Sequence, residues 1–459
     1  MTVPVSSRVA VRLDGGGRSG HSATVARWGW LLVAVISIAW SSTAIVDFRV
    51  ALGALLAVGF GLAVIGLRYP LLGLLGIGML CVLNEMAAPL LLTGGLWRWN
   101  TFNYWLLLVA LLFLPYSLRW GRLQRRVLVP LILLLTLEIL LSPDPLDGVQ
   151  HVFSVVVVFG LLIYVGRASL EPEAWYWLGV VSGVLAAGAC AAFLLQESTL
   201  PYVNRNVWSY VPVTAILAIC LAFVGTGDVP VRRLVLALLA VLNSVWTFLS
   251  ASRGSFLIAA VCLVFLLTMA KAHRALLFGS VATLLSVVIL SQFATLQNDS
   301  FNRLGLLLDS QESPTRRTNG RFDLALGGWY IFEDHPLGSG TGGFRTTWAD
   351  LGPRDGLSRF REGREMAAHS GWIKVLAENG VPGILLLGAY VLSFTVSGWR
   401  ARNPELLRLG LMVSAVLTVA WLSTEFQNKA LWLLAAGATV LLEHNPASRA
   451  RLRRKPDYP

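Results

Sequence analysis

The chain has 459 residues, of which 56% are hydrophobic and only 14% charged, against roughly 25% charged in a typical globular domain. Mean hydropathy is +0.67, and apolar runs long enough to cross a bilayer (about 20 residues per helix) fill most of the sequence. This composition predicts an all-α polytopic membrane protein. It excludes a soluble nucleotide-binding enzyme, a disordered scaffold, a disulfide-built secreted domain and a β-barrel of ~10-residue alternating strands. The net charge of +12 would suggest nucleic acid in a soluble protein. Here most of it falls beside lipid headgroups, and no nucleic-acid partner is expected.

Residues 1–27 are polar, with Arg8, Arg12, Arg18 and Arg27 against Asp14. No small-residue cleavage site follows, so this segment reads as a cytoplasmic tail before an uncleaved first helix. Apolar runs then predict spans near 28–43, 50–67, 70–93, 103–117, 127–141, 152–166, 174–195, 208–225, 234–250, 255–270, 275–293, 380–398, 405–422 and 430–443. Some are short, so the expected number is twelve to fourteen. The resulting organisation is a tail (1–27), a helix bundle (28–293), a long extracytoplasmic catalytic loop (294–379), C-terminal spans (380–443) and a basic cytoplasmic tail (444–459). Cys81, Cys190, Cys220 and Cys262 all lie in apolar runs. No disulfide and no metal site of cysteine-histidine type is expected.

Lysine and arginine fix the expected orientation. With both termini in the cytoplasm, 22 basic residues fall in cytoplasmic segments and five in short outer turns. The five are Arg49, Arg98, Arg205, Arg253 and Lys429, and orientation signalling does not account for them. Headgroup contacts or structural ion pairs are an adequate reading for Arg49, Arg98 and Lys429. Arg205 sits in the polar turn Tyr202-Val203-Asn204-Arg205-Asn206. Arg253 lies in Ser252-Arg253-Gly254-Ser255, a tight turn between two apolar runs. An arginine at that depth costs a few kcal/mol unless it meets an anion or a water-filled cavity. Of the polar residues inside spans, Asn84, Glu85, Glu138 and Asn243 read chiefly as interhelical hydrogen-bonding groups.

The long loop carries the remaining chemistry. Asn319 is a candidate N-cap for an amphipathic helix that starts at Arg321 and lies on the membrane. A guanidinium beside a helix N-terminus makes a cradle for phosphate. The Gly-rich run from Gly338 to Gly343 lacks the strand and the Lys-Ser/Thr of a nucleotide loop and reads as a flexible turn. His335 reads as a residue that ends the helix and bonds locally. The stretch from Trp348 to Glu365, with Arg354, Arg359, Arg361 and Arg364, reads as a solvated loop or a cover over an anionic substrate. Trp372 to Leu376 predicts a short external helix ended by Asn379-Gly380, with Pro382-Gly383 turning the chain into the next span. His369 then lies at its start, where the positive helix end favours the neutral imidazole that a general base needs. A structural role for a lone histidine is the competing reading. Trp329 and Trp372 are candidates for stacking on sugars.

Taken in order, Ser252-Arg253-Gly254, Gly320-Arg321 with Trp329, Asp334-His335-Pro336-Leu337-Gly338-Ser339-Gly340, and Ala368-His369 ahead of Leu376-Ala377-Glu378-Asn379-Gly380-Val381-Pro382-Gly383 resemble the O-antigen ligase/polymerase family. The resemblance covers about 205–385; Ser370 stands where many relatives have asparagine. It implies a metal- and ATP-independent inverting glycosyltransferase of the bacterial inner membrane, acting on its outer face without a cofactor. The implied donor is a glycan on undecaprenyl pyrophosphate. The implied acceptor is lipid A-core for a ligase, or a second lipid-linked glycan for a polymerase. It assigns Arg253 and Arg321 to the pyrophosphate, His369 to the acceptor hydroxyl, and Arg205, Trp329 and Trp372 to substrate contacts. Transfer to protein hydroxyls and membrane transport are the alternatives; transport would call for internal repeats with broken midplane helices.

Overall fold

The computed structural model describes residues 18–91, 101–169, 171–196, 208–227, 229–250, 252–269, 320–351, 365–424 and 428–443, with Gly279, Ser313, Thr318 and Leu357 as isolated residues. Among these the structure is helix and turn, with no strand. In chain order the helices are α1 (Arg18–Ser41), α2 (Phe48–Ile65), α3 (Pro70–Leu91), α4 (Thr101–Leu112), α5 (Leu114–Ser117), α6 (Arg122–Glu138), α7 (Pro145–Ala168) and α8 (Pro172–Gln196). Then come α9 (Tyr210–Gly225), α10 (Pro230–Leu249), α11 (Arg253–Met269), α12 (Arg321–Asp334), α13 (Phe344–Asp350), α14 (Gly371–Arg400), α15 (Pro404–Ser423) and α16 (Lys429–Glu443). Seven are long and apolar enough to cross a membrane. Helices stand at thirteen of the fourteen expected spans; the one at 275–293 lies outside the described residues. The chain is an all-α polytopic membrane protein.

Local chemistry explains where the helices start. Pro145, Pro172, Pro230 and Pro404 each open a helix, where the missing N–H is no loss. Asp47, Asp144, Ser370 and Asn403 accept a hydrogen bond from a first-turn N–H. Packing then sorts the helices. α9 is apolar all round and sits between α3, α8, α10, α11 and α16, with every residue from Tyr210 to Phe223 buried. α1, α2 and α10 keep one face outward. Close backbone approach joins α2 to α3: a Cβ on Gly76 would lie 2.5 Å from the Gly59 carbonyl oxygen.

Three expectations for the long loop change. First, the N-cap of α12 is Gly320, in the left-handed region (φ 85°), and Phe322 N–H donates to Thr318 Oγ1 at 3.0 Å; Asn319 lies outside the described residues. Second, the stretch expected as a loop from Trp348 begins inside a helix, and of its remainder only Leu351, Leu357 and Glu365 are among the described residues. Phe344 and Trp348 belong to α13 and form, with Leu324, Ile331, Ala368 and Ala377, a small core of their own. Arg354, Arg359, Arg361 and Arg364 lie outside the described residues. Third, the helix at Trp372–Leu376 is not turned away by Pro382-Gly383. It runs through Asn379, breaks at Gly380 (φ 57°, ψ −151°) and resumes directly as the next span within α14.

The glycine run is the brace of that break. Without a regular turn at Gly380, and with Pro382 lacking an N–H, the carbonyls of Ala377 and Glu378 lose helical partners. Ser339 N–H takes the first at 3.0 Å and Gly340 N–H the second at 2.9 Å, while Val381 N–H donates to the Pro336 carbonyl at 3.3 Å. Gly338 at φ 107° is pressed so close that a Cβ would lie 2.2 Å from the Glu378 carbonyl oxygen. The run is therefore a packed structural element. His335 ends α12, its N–H donating to the Ile331 carbonyl at 2.8 Å, as expected.

Candidate active site

Three helices begin at one end of the bundle, and each carries a candidate residue at its start. Arg253 is the first residue of α11, and Arg321 is the first of α12. His369 stands two residues before α14. The C-terminal end of α15 joins the first and third. A Cβ on Gly254 would lie 2.4 Å from Ser423 Oγ. Gly371 N–H donates to the Thr424 carbonyl at 2.9 Å, and Ser370 Oγ to the Trp421 carbonyl at 3.0 Å. α12 lies alongside the first half of α14 and shares its direction. Gly328 abuts Ile373, and further along Gly338 abuts Glu378 and Asn379. The N-termini of α12 and α14 therefore point the same way. Helix starts bring positive dipole ends, which favour an anion, although in α12 and α14 the N–H groups of Arg321, Phe322, Gly371 and Ile373 already have partners. Arg253 and Arg321, both half-buried, add fixed charge to these starts.

His369 is exposed and has a left-handed backbone (φ 51°). That conformation is unfavourable for a residue with a Cβ and persists only where neighbours hold it. Here Ser370 does so twice. Its hydroxyl accepts from Ile373 N–H to cap α14 and donates to α15.

Beneath the rim lies a group of buried charges that sequence reading missed. Lys374, Asp147, His151 and Glu378 are all at least nine-tenths buried. Lys374 Nζ lies 2.5 Å from His151 Nε2, 3.3 Å from Asp147 Oδ2 and 3.7 Å from Glu378 Oε1. Glu378 Oε1 also accepts from Phe344 N–H at 3.1 Å. Asn379 Nδ2 donates to Thr341 Oγ1 at 2.8 Å and to the Glu138 carboxylate. Donor atoms of Asp147, His151 and Glu378 fall within 4.8 Å of one another, a spacing that could hold a metal ion. The Lys374 ammonium sits among them and supplies the positive charge. The spacing Asp147–His151 and Lys374–Glu378, one turn each on two helices, was the available signal; nothing in the sequence pairs α7 with α14.

The other candidates fall elsewhere. Arg205 lies outside the described residues; Ser209, which follows it, shares a hydrogen bond of 2.7 Å with Ser255 in the first turn of α11. Trp329 is exposed on α12, its Nε1–H donating to Glu333 Oε1 at 2.7 Å. Trp372 uses its Nε1–H on the Thr418 carbonyl at 3.0 Å and packs edge-on against Trp421, so it ties α14 to α15. Lys429, the first residue of α16, is buried, which sets aside a headgroup contact and leaves the structural one of its two expected roles. Asn243 joins α10 to α8 by donating to the Gly183 carbonyl at 3.1 Å, the interhelical role expected of it.

Fold and candidate site together define a polytopic α-helical membrane protein whose candidate arginines and histidine stand at helix starts. Residues 238–388, about a third of the chain, match the family model for O-antigen ligase, which supports the expected kinship with the O-antigen ligase/polymerase family. No curated protein matches the chain. The matched segment contains Arg253, Arg321 and His369, and the family supports ligase- or polymerase-type chemistry in surface polysaccharide biosynthesis.

Proposed function

We propose that the protein transfers a glycan from a polyprenyl-pyrophosphate carrier to an acceptor hydroxyl on the outer face of the bacterial inner membrane. The observation that carries this reading is the convergence of Arg253 and the His369 segment on the end of α15, with Arg321 at the start of the helix beside α14. In this reading Arg253, Arg321 and the helix N-termini hold the pyrophosphate. Fixed donors aimed at a developing negative charge act strongly in a site shielded from water. The acceptor oxygen attacks the anomeric carbon on the face opposite the pyrophosphate. The new carbon–oxygen bond forms as the bond to phosphate oxygen breaks, so the configuration inverts. The acceptor proton passes to His369, and polyprenyl pyrophosphate leaves with the bonding pair. Pyrophosphate is a good leaving group, so no nucleotide is consumed.

The test is a transfer assay on purified full-length protein in detergent. Its donor is an undecaprenyl-pyrophosphate oligosaccharide; lipid A-core and further donor are tried as acceptors. His369→Ala should lower turnover by about 100-fold or more, and Arg321→Ala should abolish transfer, both with unchanged thermal unfolding. Normal transfer by either variant overturns its assigned role. The acceptor that yields product separates ligase from polymerase.

A further inference from the structure

We infer that Lys374 is a positioning residue for His369, acting through a buried ionic clamp between α7 and α14; this rests on the transferase reading above. The first half of α14 spans Gly371 to Asn379, and the break at Gly380 uncouples it from the span that follows. Nine residues are too few to hold a helix by their own hydrogen bonds. The placement of this piece, and of the histidine at its head, is therefore set by lateral contacts.

Those contacts come from three sides. α15 receives Ser370 and Gly371. The glycine run receives the carbonyls of Ala377 and Glu378. Lys374 supplies the third, reaching Asp147 and His151 on α7 from a position 2% exposed. An ammonium buried this far cannot slide away from its partners without being left unpaired in a low-dielectric interior. It thus fixes the first turn of α14 against α7, about 7 Å along the helix from His369. Apolar residues of similar volume would serve stability at least as well. What the charged cluster adds is a single register. His369 needs one, because its left-handed backbone holds only where the surroundings leave no alternative.

The experiment compares Lys374→Met with the neutralised pair Lys374→Met/Asp147→Asn in the full-length protein. Lys374→Met leaves buried carboxylates without their cation and is expected to lower both the unfolding temperature and kcat. The pair removes Asp147's share of that penalty and leaves that of Glu378, so the unfolding temperature should recover in part. Turnover should stay down by about 100-fold, the loss that a displacement of about 1 Å produces, with KM for the donor unchanged. A readout independent of activity accompanies it. Spin labels at Leu140→Cys and Glu365→Cys, both exposed, are introduced with the four native cysteines changed to alanine. Their distance distribution should be narrow with Lys374 present and broad in both variants. Recovery of wild-type kcat in the pair, or a distribution that stays narrow, overturns the inference. If the unmodified protein transfers no glycan, the transferase reading fails, and the label distances alone decide whether Lys374 holds this segment.

Discussion

The rim of the site and the floor beneath it use charge in opposite ways. On the rim, Arg253 and Arg321 are half-buried and His369 is exposed, each at the start of a helix. On the floor, Lys374 is enclosed by Asp147, His151 and Glu378, and Asn379 by Glu138 and Thr341. The rim places its charged side chains at partly exposed helix starts. The floor pairs Lys374 with buried carboxylates and holds the helix that follows His369. Substitutions on the rim should therefore move turnover and leave stability alone, whereas those on the floor should move both.

The largest effect is expected at the break. Gly380→Ala puts a Cβ 2.2 Å from the Pro336 carbonyl oxygen on a backbone that only glycine adopts readily. Strain and clash together should destabilise the protein by about 3 kcal/mol or more, seen as loss of folded protein by size-exclusion fluorescence. Unchanged yield would show that the glycine run is not a brace. Asn379→Ala comes next. It strips a hydrogen bond from the Glu138 carboxylate and should lower unfolding stability by about 3 kcal/mol; a shift confined to activity would move Asn379 to the rim.

Arg321→Lys sharpens the rim. It keeps the charge but loses the fork that grips two phosphate oxygens. Turnover should fall about tenfold, the worth of one charge-assisted hydrogen bond, with the melting temperature unchanged. An equal loss of melting temperature would make Arg321 a floor residue. The smallest effect belongs to Trp329→Ala. Stability should change by about 0.5 kcal/mol or less, because the ring is exposed and its partners, Glu333 and Phe332, lie on the same helix. A higher donor KM would mark it as a sugar contact; an unchanged one would leave it a surface residue.

Much of this was legible in the sequence, and what was not has a common cause. Helix starts carry local signals in proline and short polar side chains, as at Pro145, Asp144 and Ser370, but reading by apolar runs places the start of α7 near 152 and misses them. The break at Gly380 was readable as a local signal, but its outcome was not. Whether the chain turns away or continues depends on the glycine run, more than thirty residues earlier, which satisfies the freed carbonyls. α13 was missed because its seven residues are held by burial of Phe344 and Trp348 in a separate small core. Trp372 was expected to face a sugar. Its indole faces α15, a helix whose position no local pattern reveals.

The sequence by itself determined the solvent. Its long apolar runs and scarce charges leave a helical membrane bundle as the fold, because backbone groups in lipid must be paired within the segment. It also singled out Arg253, Arg321 and His369 as candidates for the chemistry. Only the tertiary structure decided that the starts of α11 and α14 meet at the end of α15, and that Lys374, Asp147, His151 and Glu378 form one buried group. The physical reason is range. Caps and turns act across a few residues, whereas a buried charge is set by partners that may lie anywhere in the chain, as Asp147 and Lys374 do across 227 positions.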